Sequence, residues 1–270
     1  MPFTIPKTMD QWFTKYLESF TTRDEDIRKN IELKKLHTKK VCEEMAGLCT
    51  TLAVDSRTAM LAGCTALFHD IGRFEQYTRF RTFADNDSVN HADLGVEVLR
   101  REKVLEDLCV QDREIILQAI SFHNRKDIPA LSNPLVDYVT RMIRDADKLD
   151  IYRVVTEYYA QHHKERNRAI EFNLPPGSDA SPAVLEDLRA RRLVEYVHVA
   201  SQIDFRLVQV GWIYDINFRY SLHRIRKRRY LEALEQNLPE TPAITEVIRE
   251  VERYLDYYAQ DEHNPQPIRA

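Results

Sequence analysis

Residues 59–74 read AMLAGCTALFHDIGRF, and this stretch decides how the rest of the chain is interpreted. Its first part is apolar at the spacing of a helix face, which predicts a buried helix. The apolar run ends in His69 and Asp70, and Gly72 is placed to form the C-terminal stop of the helix. Because the chain leaves helical geometry there, the two adjacent polar side chains can reach one point. The stretch therefore predicts a helix that presents an imidazole and a carboxylate at its end.

A long helix is predicted upstream, from Asp24 to about Leu52. His37 shares one face of this helix with apolar residues that recur at intervals of three or four, namely Leu33, Val41, Met45, Leu48 and Leu52. The side chain of His37 is thus expected in the interior. Taken alone, a histidine on an apolar face is most often a core residue with satisfied hydrogen bonds.

Three more polar residues stand in line with apolar faces downstream. His91 opens a predicted helix after a polar stretch, and His123 ends a predicted helix over 111–123. Asp147 lies in a predicted helix over 134–160, in line with Val136, Val139 and Ile143.

A carboxylate on a core-facing stripe is costly unless a cation or hydrogen bonds meet it. Asp147 alone could be satisfied by Arg144 or Lys148, or by a rotation of its helix toward solvent. The four histidines and two aspartates lie on successive helices and are all directed inward. A shared cation explains the six together more economically than six separate pairings do.

Composition narrows the class of protein. The 270 residues carry 39 basic and 43 acidic side chains, a formal net charge of −4, which argues against a nucleic-acid coat or a polybasic membrane binder. The six glycines are isolated, so neither a dinucleotide fingerprint nor a phosphate-binding P-loop is present. The four cysteines lack C-x-x-C spacing and are expected to be reduced. With no apolar run of membrane-spanning length, a cytoplasmic protein is expected.

The order His, His-Asp, His, His, Asp resembles the HD superfamily of metal-dependent phosphohydrolases. The matching segments are His37, FHDIGRF with His69 and Asp70, NHADLGVEVL with His91, SFHN with His123, and IRDADKLD with Asp147. The resemblance covers roughly residues 30–155 and implies an all-α HD-domain helical bundle.

The predicted organisation is a single all-α domain over residues 1–270. Its HD core covers approximately 24–160, and additional C-terminal helices, two or three in number, cover approximately 180–260. A linker or loop is predicted over 161–182, where the sequence contains NLPPGS.

The resemblance also implies a ligand set. In this family His37, His69, Asp70 and Asp147 would form the basic metal site, and His91 and His123 are the extra ligands of members that hold two metals bridged by the HD aspartate. Both extra histidines are present, so a binuclear site is favoured. Its ions would be divalent Fe, Mn, Zn, Co or Ni, since imidazole and carboxylate ligands do not select among these.

Such a site would turn a bound water into hydroxide near neutral pH and attract phosphate. Asp70 is assigned a catalytic role as the shared ligand, with Arg73 and Lys148 as phosphate contacts, although Asp145 or Asp150 could equally pair with these cations. Arg125 and Lys126 are weaker candidates of the same kind. Asp150 is expected to orient a metal ligand.

The leading hypothesis is a phosphomonoesterase or phosphodiesterase whose partner is a small-molecule phosphate ester, a nucleotide being one candidate. Two alternatives stay open: an HD-fold di-iron oxygenase, and a non-catalytic HD module that senses a nucleotide. Membranes and nucleic acid are not expected as partners, and a homo-oligomer is left open. The basic run 219–229 is interpreted as a solvated helix face, and His162 and His163 receive no role.

Overall fold

The computed structural model describes residues 5–160, 174–260, 264, 267 and 268. Across these residues the chain is all-α and contains no β-strand, which confirms the predicted fold class. The first seven helices, α1 to α7, span Lys7–Glu18, Glu25–Thr51, Ser56–Phe68, Ile71–Phe80, His91–Arg101, Val110–Phe122 and Pro134–Ala160. Helices α8 to α12 span Pro182–Arg189, Gln202–Gly211, Arg219–Lys227, Tyr230–Glu235 and Pro242–Tyr258. None of these helices is both long enough and apolar enough to cross a membrane.

Short polar side chains begin the helices that carry the predicted site. Asp24, Asp55 and Asn90 each accept hydrogen bonds from backbone N–H groups in the first turn of α2, α3 and α5 respectively. These N–H groups have no partner within the helix, so each cap stabilises the start of its helix. The starts of these three helices therefore follow from local sequence.

The chain divides into two compact units, Met1–Asp150 and Ile151–Ala270. In the first unit α3 packs against α2 and α6, α4 packs against α5, and α5 packs against α6. Every residue from Leu61 to Phe68 is buried, so α3 is covered on all sides rather than on one face. A helix that is apolar all round takes this central position, and it places the end of α3 inside the unit.

In the second unit α12 packs against α8 and α10, and the Tyr152 hydroxyl donates to the Gln209 carbonyl oxygen at 2.9 Å. The expectation of two or three helices here was wrong, because the described residues after 174 form five shorter ones. Arg229, in the left-handed region at φ 56°, separates α10 from α11. The single-domain organisation stays a prediction. Residues 161–173 of the predicted loop lie outside the described residues, and 174–181 are non-helical.

Gly72 does not end α3, contrary to the sequence prediction. It is the second residue of α4, where it is buried against the start of α5. A Cβ atom at this position would lie 2.2 Å from the His91 carbonyl oxygen and 2.7 Å from the Gly95 backbone nitrogen. The absence of a side chain therefore lets α4 approach the backbone of α5, which brings His91 close to Asp70.

We expect Gly72→Ala to destabilise the protein by about 1–3 kcal/mol, because the added methyl group meets rigid backbone and forces α4 and α5 apart. Denaturation with urea, followed by circular dichroism, measures this change. Gly95→Ala is the matched comparison, since its nearest contact would be the Ile71 Cγ2 atom at 3.2 Å, a side chain that can move. A Gly72→Ala variant as stable as the wild type would contradict the close-approach interpretation.

Candidate metal centre

Three helices bring together the first group of predicted ligands. His37 comes from the middle of α2, His69 and Asp70 follow the end of α3, and Asp147 comes from α7. The His37 Nε2 atom lies 3.0 Å from Asp147 Oδ1, 3.4 Å from Asp70 Oδ2 and 3.3 Å from His69 Nε2. The His69 Nε2 atom lies 3.6 Å from Asp70 Oδ2 and 3.7 Å from Asp147 Oδ1. Four side chains from distant parts of the sequence thus converge on one point.

A second group lies on the other side of Asp70. His91, at the start of α5, places Nε2 at 3.4 Å from Asp70 Oδ1 and at 3.1 Å from the Nε2 atom of His123. The donor atoms of His37, His69 and Asp70 lie within 4.8 Å of one another, and so do those of Asp70, His91 and His123. Both trios are buried. Their donor atoms are close enough together to bind one ion, and imidazole and carboxylate are common metal ligands.

Asp70 belongs to both groups through different oxygens. Its Oδ2 atom faces His37 and His69, and its Oδ1 atom faces His91. The residue stands between α3 and α4 at φ −106° and ψ 16°, so the chain turns there and the side chain lies between the two groups. A carboxylate in this pose is suited to bridge two cations.

The Nδ1 atom of every histidine in the two groups is held by an acceptor. His69 Nδ1 donates to the Ala66 carbonyl at 2.8 Å, and His123 Nδ1 donates to the Ile120 carbonyl at 2.7 Å. Both residues follow the last residue of a helix, where the last carbonyl groups have no amide four residues on within the helix. The Ile120 carbonyl also accepts a hydrogen bond from the backbone N–H of His123 at 3.3 Å. The other two imidazoles use carboxylates: His37 Nδ1 lies 2.7 Å from Asp150 Oδ2, and His91 Nδ1 lies 2.7 Å from Asp85 Oδ2.

In His69, His91 and His123 these acceptors place the proton on Nδ1 and leave the Nε2 lone pair available to a metal ion. Burial lowers the pKa of His91 and of His123 to about 4, and it also lowers the pKa of His69. At neutral pH these imidazoles are uncharged, which is the form that binds metal ions.

The pKa values of His37 and Asp70 are shifted toward the charged form of each residue. Burial and the charge of Lys34 act to lower the pKa of His37, but its hydrogen bonds with Asp147 and Asp150 outweigh them and raise it. Burial acts to raise the pKa of Asp70, yet the surrounding cationic groups, led by Lys34, hold it well below its usual range. The Asp70 carboxylate is therefore ionised and available as a ligand.

Whether the residues fit a metal can be judged from the pair His91 and His123. Their Nε2 atoms lie 3.1 Å apart, and both rings are neutral with the proton on Nδ1. Neither Nε2 atom can donate a hydrogen bond to the other, so two buried lone pairs face each other. A shared cation satisfies both lone pairs at once. The donor set thus fits a divalent transition metal.

Asp85 is a functional residue that the sequence reasoning missed. It lies in the segment between α4 and α5 and, besides His91, accepts hydrogen bonds from Arg73 Nη1 at 2.9 Å, Gln76 Nε2 at 2.9 Å and Asn124 Nδ2 at 3.1 Å. Its only sequence signal is its position six residues before His91 in a polar stretch. Asp150 contacts His37 as expected of a residue that orients a ligand.

The predicted phosphate contacts have different surroundings. Arg73 Nη1 donates to Gln76, to the Phe83 carbonyl and to Asp85, while its Nε atom lies 3.5 Å from Asp70 Oδ1. Lys148 is half-buried on α7 beside Asp147. Arg125 and Lys126 are exposed after His123.

Lys34 was not predicted, although it precedes His37 by three residues on the same side of α2. Its Nζ atom lies 2.6 Å from Asp70 Oδ2, which is closer than the 3.5 Å that separates Arg73 Nε from Asp70 Oδ1. Of these two cations, Lys34 is therefore the nearer to Asp70, and it is the one that was not predicted.

The basic run 219–229 pairs in part with acidic residues of the second unit. Arg226 Nε lies 3.2 Å from Asp256 Oδ1, and Arg229 Nε lies 3.3 Å from Glu232 Oε1. All four of these side chains are exposed, and the role of the run stays a prediction. His162 and His163 lie outside the described residues.

The two orienting carboxylates give a paired test of the centre. We expect Asp85→Asn to weaken metal binding by the group of His91 and His123, and Asp150→Asn to weaken binding by the group of His37. Loss of such an outer hydrogen bond lowers metal affinity by about 10- to 100-fold. Metal titration of the stripped protein, followed by elemental analysis, measures both. If each variant keeps the affinity and stoichiometry of the wild type, the carboxylates do not orient ligands.

Comparison with known proteins agrees with this geometry. The family model of the HD domain matches residues 37–204, which is more than half of the chain and includes all six predicted ligands. No curated protein and no solved structure matches the chain. HD domains bind divalent metals, and the buried His and Asp groups described above are of the kind that holds them. The chain belongs to the HD domain family.

Proposed function

We propose that this protein is a metal-dependent phosphoric ester hydrolase that acts on a small phosphomonoester or phosphodiester, with nucleotides as the first substrates to test. One observation carries the proposal. Four buried imidazoles are each held at Nδ1 by an acceptor. Asp70 faces His37 and His69 with Oδ2 and faces His91 with Oδ1, and His91 lies against His123. This arrangement suits two cations, and HD domains are a family of metal-dependent hydrolases.

His37, His69, Asp70 and Asp147 would hold one divalent ion, and Asp70, His91 and His123 would hold the other. When bound, such ions lower the pKa of a water molecule toward neutrality and stabilise negative charge on phosphoryl oxygens. The chain contributes ligands whose orientation is set before the substrate arrives, because each imidazole already has its outer hydrogen bond.

The substrate is expected to approach from the side of Asp147. The Asp147 side chain is 18% exposed, whereas those of His37, Asp70 and His91 are 4% exposed and that of His69 is fully buried. Lys148 follows Asp147 on α7 and is proposed as a phosphate contact from this side. Arg73 has Nη1 engaged by the segment around Asp85, so its proposed role includes holding that segment beside Asp70.

Substitutions at Asp70 and His123 separate the shared ligand from a peripheral one. We expect Asp70→Ala to remove both ions and to abolish hydrolysis, because each group loses the carboxylate that the two groups share. His123→Ala should lower occupancy at the second group alone, since His37, His69 and Asp147 still hold the first ion. Elemental analysis of both variants, with circular dichroism as the control for folding, tests this expectation. Full metal content and wild-type turnover in Asp70→Ala would place the site elsewhere.

The proposed reaction is tested on the metal-loaded protein with a panel of nucleotides and of model phosphomonoesters and phosphodiesters. Release of phosphate or of a nucleoside product that stops on addition of a chelator supports the proposal. Two results would replace it with another function. Bound iron with a near-ultraviolet oxo-bridge absorption and no hydrolysis would indicate an oxygenase, while tight nucleotide binding without any turnover would indicate a sensing module.

A further inference from the structure

Lys34 is the charged group whose contacts the proposed function leaves unexplained. Its Nζ atom lies 2.6 Å from Asp70 Oδ2, and both side chains are shielded from solvent, with exposed fractions of 16% and 4%. Asp70 Oδ2 is the same oxygen that faces His37 and His69. The ammonium group and a metal ion of the first group would therefore share one ligand atom.

Two positive charges on one carboxylate oxygen repel each other strongly in a buried site. A divalent ion held also by two imidazoles and Asp147 keeps the oxygen, so the ammonium group must give way. Lys34 is able to move, because its charge sits at the end of a flexible four-carbon stem. Lys34 should thus oppose metal binding at the first group.

The surroundings of Lys34 keep the displaced ammonium group close to the reacting centre. Its Nζ atom lies 5.3 Å from the centroid of the Phe83 ring, and the guanidinium carbon of Arg73 lies 5.7 Å from the same ring. The aromatic face attracts cations. Lys34 and Arg73 thus flank Asp70, on its Oδ2 and Oδ1 sides respectively.

We propose that Lys34 competes with the first metal ion for Asp70 Oδ2 and, once displaced, binds the phosphoryl oxygens of the substrate. The second half of this inference rests on the proposed function. An ammonium group released beside a phosphate site has an anionic partner within reach, and a charge-assisted hydrogen bond to phosphate compensates for the contact that it lost. Lys34 therefore weakens the binding of the metal ion and strengthens the binding of phosphate.

Lys34→Met tests both effects, because methionine keeps the length and helix propensity of the side chain without its charge. We expect the chelator-stripped full chain to bind Mn²⁺ about tenfold more tightly at the first group, since the competing cation is gone. We expect the Mn²⁺-loaded variant to bind inorganic phosphate about tenfold more weakly, since one charged contact is lost. Isothermal titration with Mn²⁺ alone, and then with phosphate, measures both constants.

Lys35→Met is the matched control, because Lys35 is the next residue of α2 and its side chain is 40% exposed and pairs with Glu32. It should leave both constants unchanged. Lys34→Gln provides a second uncharged variant and should shift both constants in the same directions as Lys34→Met.

Mn²⁺ affinity that is unchanged or weaker in both Lys34 variants overturns the competition, and unchanged phosphate affinity overturns the contact with substrate. If the wild type itself takes up no Mn²⁺, the proposed function fails together with this inference. If the wild type binds Mn²⁺ and phosphate while the variants match it, only the role of Lys34 fails.

Discussion

The arrangement of the centre depends on the buried carboxylate of Asp70, which faces two pairs of imidazoles with its two oxygens. Burying an ionised carboxylate is costly unless it meets positive charge or hydrogen-bond donors. Lys34 of α2 and Arg73 of α4 supply positive charge on its two sides. The packing of the first unit therefore brings to one place both the cations that compensate Asp70 and the imidazoles that surround it.

Close backbone packing brings α4 and α5 together beside Asp70. A side chain at position 72 would collide with the carbonyl oxygen of His91, so glycine is what allows α5 to begin beside Asp70. The helix ends serve the same purpose, because carbonyl groups in the last turns of α3 and α6 hold the imidazoles of His69 and His123. In this way ordinary features of helix termini become part of a ligand set.

Charge is distributed around the centre in layers. The imidazoles and the carboxylates of Asp70 and Asp147 lie innermost, and Asp85 and Asp150 lie around them and fix two of the rings. Lys34 and Arg73 lie on either side of Asp70. A centre built this way has ligands suited to a cation in its interior and positive charge on both sides of Asp70.

The sequence alone determined the helical class, the positions of the site-bearing helices and the six residues that converge, because these depend on periodicity, caps and residue type within one segment. Packing decided the rest. Lys34 and Asp85 gain their roles from contacts with Asp70 and His91, and Gly72 gains its role from a neighbouring helix rather than from the end of its own. Sequence periodicity likewise did not predict that the second unit contains five shorter helices. Such features arise between segments, so only the folded chain brings together the atoms that define them.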